Sequence, residues 1–178
     1  MELYETRPDG ATTQVQMLTR YKAWANARAF NTVLQLPLDE LLKERQTHFK
    51  TILHTLNHVY VIDDIFKAHL TGQNHSYSGR NTKEALPVDK LWQATNQMDI
   101  WYIELSDKLS ADELGETIEF EFVDGGKGAM TREQILLHIV NHGTYHRGFV
   151  SDMLHQVPAK FDANDLPVFL RDVWSNIV

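Results

Sequence analysis

Three histidines recur at every fourth position in the stretch HIVNHGTYHRGF, which covers residues 138–149. Histidines at positions i and i+4 of a helix project in parallel, so that two of them can bind one metal ion. His142 and His146 have this spacing, and the lone pair of a neutral imidazole is the ligand. Two core histidines that donate hydrogen bonds to carbonyls or carboxylates would have the same spacing. This stretch alone leaves both interpretations open.

Apolar periodicity places the pair on the face predicted to line a helical bundle. His138 lies roughly 60° from the centre of that face, on its shoulder. His142 and His146 occupy core positions with apolar residues on either side, and two buried imidazoles are costly unless they have partners. The predicted seam has spacings of 4, 3, 4, 3 and 4 and consists of Ile135, Ile139, His142, His146, Phe149 and Met153.

A second helix offers another pair of histidines in LHTLNHVYVIDDIF. Its apolar stripe is centred near Val59, and His58 lies roughly 100° from that centre whereas His54 lies roughly 140° away. Periodicity therefore favours His58 as a further ligand. Asp63 lies near the stripe and is a candidate to orient a ligating imidazole, while Asp64 is predicted to be solvated. The remaining histidines are predicted to lie on the surface: His48, His69, His75 and His155.

Four long segments with helical periodicity must position these histidines. They cover residues 13–36, 49–70, 88–109 and 131–156. Between the third and fourth, TIEFEF alternates in polarity and is followed by Asp124-Gly125-Gly126, which predicts a hairpin. We therefore predict an all-α, up-down-type four-helix bundle. It has a short β-hairpin insertion between the third and fourth helices and a short C-terminal helix over 166–174.

Composition narrows the functional classes. The 178 residues predict a single domain over 1–178, and the formal net charge of -7 argues against a nucleic-acid partner. The absence of cysteine excludes thiolate ligands and cysteine nucleophiles. Residues 1–10 lack the pattern of a signal peptide, and no apolar run approaches the roughly 20 residues of a membrane span. We expect a cytoplasmic protein without a membrane partner.

Three segments together resemble a known family. They are YKAWANARAF at 21–30, TLNHVYVIDDIF at 55–66 and HIVNHGTYHRG at 138–148. In order and spacing they are similar to the DinB (damage-inducible) family, the YfiT-like group of metal-binding four-helix-bundle proteins. Members bind a divalent metal through one histidine of the second helix and two of an H-x-x-x-H on the fourth. The resemblance implies His58, His142 and His146 as ligands, and His138 as a recurrent position that is not a ligand.

The resemblance also implies a function. Zinc is the expected ion, and nickel and iron accept imidazole ligands as well. Relatives act as metal-dependent transferases or isomerases that use low-molecular-weight thiols, so the leading hypothesis is an enzyme of this type with a small-molecule substrate. The alternatives are a metal-dependent hydrolase and a non-catalytic, metal-stabilised homodimeric binding protein. Relatives commonly pair, so we expect a homodimer.

Two side chains beside the histidines have open roles. Tyr145 lies roughly 80° from the seam, which predicts a helix–helix contact rather than a place at the metal. Arg147 could bind an anionic substrate or a carbonyl near the end of its helix, and the second role is favoured. No residue is assigned as the catalytic base.

Overall fold

The computed structural model describes residues 13–176, which contain four long helices and a hairpin together with short helices and loops. The all-α prediction is confirmed. No helix in this part of the chain is both long and apolar enough to cross a membrane. Residues 1–12 and 177–178, among them the stretch considered for a signal peptide, lie outside the described residues. The elements are α1 (Gln14–Val33), α2 (Leu38–Leu42), α3 (Ile52–Thr71), α4 (Val88–Lys108), α5 (Ala111–Leu114), β1 (Thr117–Glu121), β2 (Lys127–Thr131), α6 (Arg132–Leu154) and α7 (Leu166–Asp172), followed by a 3-10 turn (Trp174–Asn176).

The two helices that carry the histidine pairs begin at capped residues. Helix α6 begins with a capping box, since Thr131 Oγ1 accepts from the Gln134 N–H and Gln134 Oε1 accepts from the Thr131 N–H. Helix α3 begins at Ile52 rather than at residue 49, because Lys50 has a φ of 61° and Thr51 supplies the cap. Capping therefore fixes where each of these helices starts.

The long helices pack so that α1 contacts mainly α4 and α6, and α3 contacts the same two helices. Consecutive long helices α1 and α3 therefore lie at opposite corners of the bundle. Helix α7 closes one side by burying Phe169 against Tyr21 and Trp24, with ring centroids 5.8 and 5.6 Å away. Helix α7 ends at Asp172, two residues before the predicted boundary at 174.

The hairpin and a long loop lie beside each other near α3. Strands β1 and β2 are antiparallel with Thr117 opposite Thr131, so β2 leads directly into α6. Phe120 of β1 packs against Phe66 of α3 with the ring centroids 5.6 Å apart. Arg80, in the loop between α3 and α4, forms an ion pair with Asp124 in the hairpin turn. Both segments therefore border the same part of the bundle surface.

A cluster of buried charges joins all four long helices at the centre of the bundle. Lys22 Nζ of α1 lies 2.8 Å from Asp63 Oδ2 of α3 and 2.5 Å from Asp99 Oδ1 of α4. Asn26 Nδ2 donates to Asp99 Oδ2, and Arg147 Nη1 of α6 donates to Asn26 Oδ1. The two cations and two carboxylates balance, which limits the electrostatic cost of burying them.

Candidate metal centre

Helices α3 and α6 bring His58, His142 and His146 together. One nitrogen from each ring lies within 4.8 Å of the corresponding atoms of the other two. The Nε2 atoms of His58 and His142 are 3.0 Å apart, and the three ring centroids are separated by 4.5 to 4.9 Å. His54 and His138 are outside this cluster. The structure thus assembles the three residues that the sequence singled out.

The orientation of His58 is set by the loop that precedes α4. His58 Nδ1 donates to the Arg80 carbonyl oxygen at 2.6 Å, which leaves the lone pair of Nε2 directed at the cluster. Asn57 holds this loop in place: its Nδ2 donates to Thr82 Oγ1, and its Oδ1 accepts from the Leu86 N–H. Sequence reasoning missed Asn57, because an asparagine beside a histidine on a helix carries no distinguishing pattern.

All three imidazoles are held in their neutral form. Burial, with a smaller contribution from the neighbouring histidines, lowers the pKa of His142 to about 2 and that of His146 to about 4. Burial also lowers the pKa of His58. Since a neutral imidazole is the metal-binding form, the cluster can offer three lone pairs at neutral pH without first losing protons.

The three-histidine cluster is compatible with binding of a divalent metal ion. Zinc binds imidazole nitrogen at about 2.0–2.1 Å, so two ligands of a tetrahedral ion lie roughly 3.3 Å apart. The observed separation of 3.0 Å between the His58 and His142 nitrogens is close to this value. Imidazole suits zinc, nickel and iron, and three protein ligands leave a coordination position open.

The cluster opens into a cavity of about 620 Å³. Five imidazoles line it, from the three clustered histidines and from His48 and His138, together with Arg80 and Tyr145. No Asp or Glu of the described residues lines it. The ring of Phe49 stacks on His58 with the centroids 4.2 Å apart. The apolar part of the lining consists of Phe49, Ile62, Phe66, Phe122 and Met130.

The buried face of α6 differs from the predicted seam. His146 is buried as expected, but His142 and Phe149 are only half-buried. Helix α6 packs against both α1 and α3, so its buried face is wider and is displaced from the predicted centre. Tyr145 is 62% exposed and lines the cavity, so the predicted helix–helix contact is wrong. The displaced face is formed by Ile135, Leu136, Ile139, Val140, Gly143, Arg147 and Val150.

Two predicted polar roles are also wrong. Asp63 pairs with Lys22 and orients no ligating imidazole, because five residues along a helix turn it about 140° away from His58. Arg147 is buried and donates to Asn26 and to Thr144 of its own helix. It therefore serves neither an anionic substrate nor a carbonyl at the helix end.

Other predicted surface residues are more enclosed than expected. Asp64 is half-buried and accepts a hydrogen bond from the Tyr77 hydroxyl at 2.8 Å. His69 is half-buried and stacks on Phe120 with centroids 4.7 Å apart. His75 is half-buried too. His48 and His155 are exposed as predicted, although His48 also lines the cavity.

Comparisons with known proteins agree with this architecture. The sequence pattern of the DinB family matches residues 11–171. Protein DinB of Bacillus subtilis (strain 168) is 29% identical over 164 residues, covering 86% of this chain and 91% of that protein. The crystal structure of a DinB-like protein from Bacillus cereus ATCC 10987 has a TM-score of 0.60 at 13% identity, covering 82% of this chain and 94% of the other. That likeness shows a shared fold, and the family match shows that the chain belongs to the DinB family.

Proposed function

We propose that the protein binds one divalent metal ion through His58, His142 and His146 and is a metal-dependent enzyme of the thiol-dependent transferase or isomerase type. The observation that carries the proposal is the convergence of three neutral imidazoles that line one cavity of about 620 Å³. Zinc is the proposed ion, and the same donors suit nickel and iron.

The lining of the cavity favours thiol chemistry over hydrolysis. A divalent ion held here would lower the pKa of a thiol or water that reaches it. A thiol has an ordinary pKa of about 8.5, so it needs less help from a protein base than water does. Zinc hydrolases of the H-E-x-x-H type supply a carboxylate base, and none of the described residues that line the cavity carries one.

Groups of the chain orient the metal ligands and shape the cavity beside them. The Arg80 carbonyl keeps the His58 Nδ1 proton in place, so that Nε2 stays a ligand. Phe49 covers one face of His58. The apolar part of the lining, which includes Ile62, Phe66 and Met130, suits the organic group of a substrate.

A non-catalytic metal site is the other candidate. Structural zinc sites are closed by four protein ligands, whereas three histidines form this cluster and the cavity lies beside it. This openness favours an enzyme. The homodimer, the cytoplasmic location and the absence of a nucleic-acid partner stay predictions, and sedimentation velocity would test the first.

Elemental analysis of the purified protein tests the metal site. We expect about one metal ion per chain in the wild type, and its loss in His58→Ala and His142→Ala. His138→Ala is the matched control, because His138 lines the same cavity outside the cluster, and it should keep the metal. A folded wild-type protein that takes up no zinc, nickel or iron would contradict the proposal.

Exogenous thiols test the chemistry. In the cobalt-substituted protein, a small thiol should change the visible absorption spectrum, because it can occupy the open coordination position. An unchanged spectrum at saturating thiol would favour a non-catalytic site.

A further inference from the structure

The charge of the cavity contrasts with that of the whole protein. The chain has a formal net charge of -7, yet no Asp or Glu of the described residues lines the cavity. Among the described residues that line the cavity, Arg80 alone is an arginine or a lysine. The three clustered imidazoles are neutral. With a divalent ion bound, the cavity would be positive inside an acidic protein. A cavity of one sign with apolar walls concentrates ligands of the opposite charge.

The backbone of Arg80 is anchored by a hydrogen bond, whereas its side chain forms an ion pair that a ligand can replace. Its carbonyl oxygen is held by His58 Nδ1 at 2.6 Å, which anchors the residue next to the metal cluster. Its guanidinium pairs with Asp124 across the gap between the loop and the hairpin turn, and the two side chains are 64% and 60% exposed. An ion pair as exposed as this contributes little stability. A carboxylate in the cavity could therefore replace Asp124 at low cost.

Part of the cavity lining is apolar. Phe66 and Ile62 of α3, Met130 of β2 and Phe122 after β1 line it, and Phe122 is 46% exposed. A partly exposed aromatic ring that lines a cavity gains free energy when an apolar ligand group covers it. The cavity thus offers a ligand three kinds of interaction: with a bound metal ion, with apolar side chains and with a guanidinium group.

We propose that Arg80 is the anion-binding residue of this cavity and that the substrate class is a small organic carboxylate with an apolar body. The carboxylate binds the Arg80 guanidinium in place of Asp124, and the apolar body lies against Phe66, Phe122 and Met130. This inference rests on the proposed function, because it takes the cavity beside the metal cluster as the substrate site.

The test uses a probe with a group for each part of the site. In 2-benzyl-3-sulfanylpropanoate the thiol reaches the metal, the benzyl group fits the apolar part of the lining and the carboxylate is left for Arg80. The primary amide of the same compound has the same shape without the charge. Binding of both compounds to the zinc-loaded protein is measured by titration calorimetry, and zinc content is measured for every variant.

We expect the acid to bind the wild type about tenfold more tightly than the amide, as a charge-assisted hydrogen bond implies. Arg80→Gln should abolish this preference and leave the affinity for the amide unchanged, and Arg80→Lys should keep part of it. Asp124→Asn should strengthen binding of the acid a few-fold by removing the competitor. The control is Lys83→Gln, which makes the same charge change in the same loop outside the cavity and should keep the full preference.

The outcomes separate this inference from the proposed function. Equal binding of acid and amide to zinc-loaded wild type, or a preference that persists in Arg80→Gln with its zinc retained, would refute the anion site and leave the metal site standing. A wild type that holds no zinc would refute the metal site itself. Zinc-loaded protein that binds neither compound would overturn the anion site and the cavity as a substrate site, and would leave the metal site standing.

Discussion

Acid should destabilise the metal-free protein through the histidines of the metal cluster. His142 and His146 have pKa values of about 2 and about 4 in the folded protein, while a histidine in an unfolded chain has a pKa near 6.5. Below pH 6.5 the unfolded chain therefore binds protons that the folded protein does not. Stability from these groups is complete above pH 6.5 and is lost as the pH falls towards the folded values.

The size of the effect follows from these pKa values. Each histidine that is protonated only when unfolded costs about 1.4 kcal/mol of stability per pH unit. Between pH 6.5 and 5.0 this amounts to about 2 kcal/mol for His146, which is buried. The half-buried His142 contributes less than its full share because water screens it, so we expect about 2–4 kcal/mol for the pair.

Urea unfolding of metal-free protein at several pH values measures this difference. Other groups titrate in the same range, so the comparison is with a His142→Gln, His146→Gln double variant. Between pH 6.5 and 5.0 the stability of this variant should fall by about 2–4 kcal/mol less than that of the wild type. His155→Gln, at an exposed histidine outside the cluster, is the matched control. Parallel curves for wild type and double variant would refute the conclusion that the imidazoles are held neutral.

Two further substitutions test residues outside the three-histidine cluster. Lys22→Met leaves two buried carboxylates without their cation, and urea unfolding should show a loss of about 3–5 kcal/mol; Lys108→Met, at an exposed site, should change stability little. Asn57→Ala releases the loop whose carbonyl orients His58. Competition with a chelator should show zinc affinity about 10–100-fold weaker, whereas Asn141→Ala on the exposed side of α6 should leave it unchanged.

Much of the fold could be predicted because it depends on local signals. Helical periodicity located the long helices, and the predicted start of the fourth helix at residue 131 is the N-cap of α6. The start of α3 was misplaced by three residues, since nothing in the sequence announces the left-handed backbone of Lys50. The short helix α5 was not predicted, because four residues carry too little periodicity to be recognised.

The candidate site, like the fold, could be predicted only where it depends on local signals. Spacing along one helix determined that His142 and His146 project together, and the resemblance to the DinB family selected His58. Only the tertiary structure decided what lies across from each side chain: Arg80 behind His58, Lys22 beside Asp63, and Asn26 against Arg147. Neighbours along a helix follow from its constant geometry, whereas partners from other helices and loops depend on how the whole bundle packs.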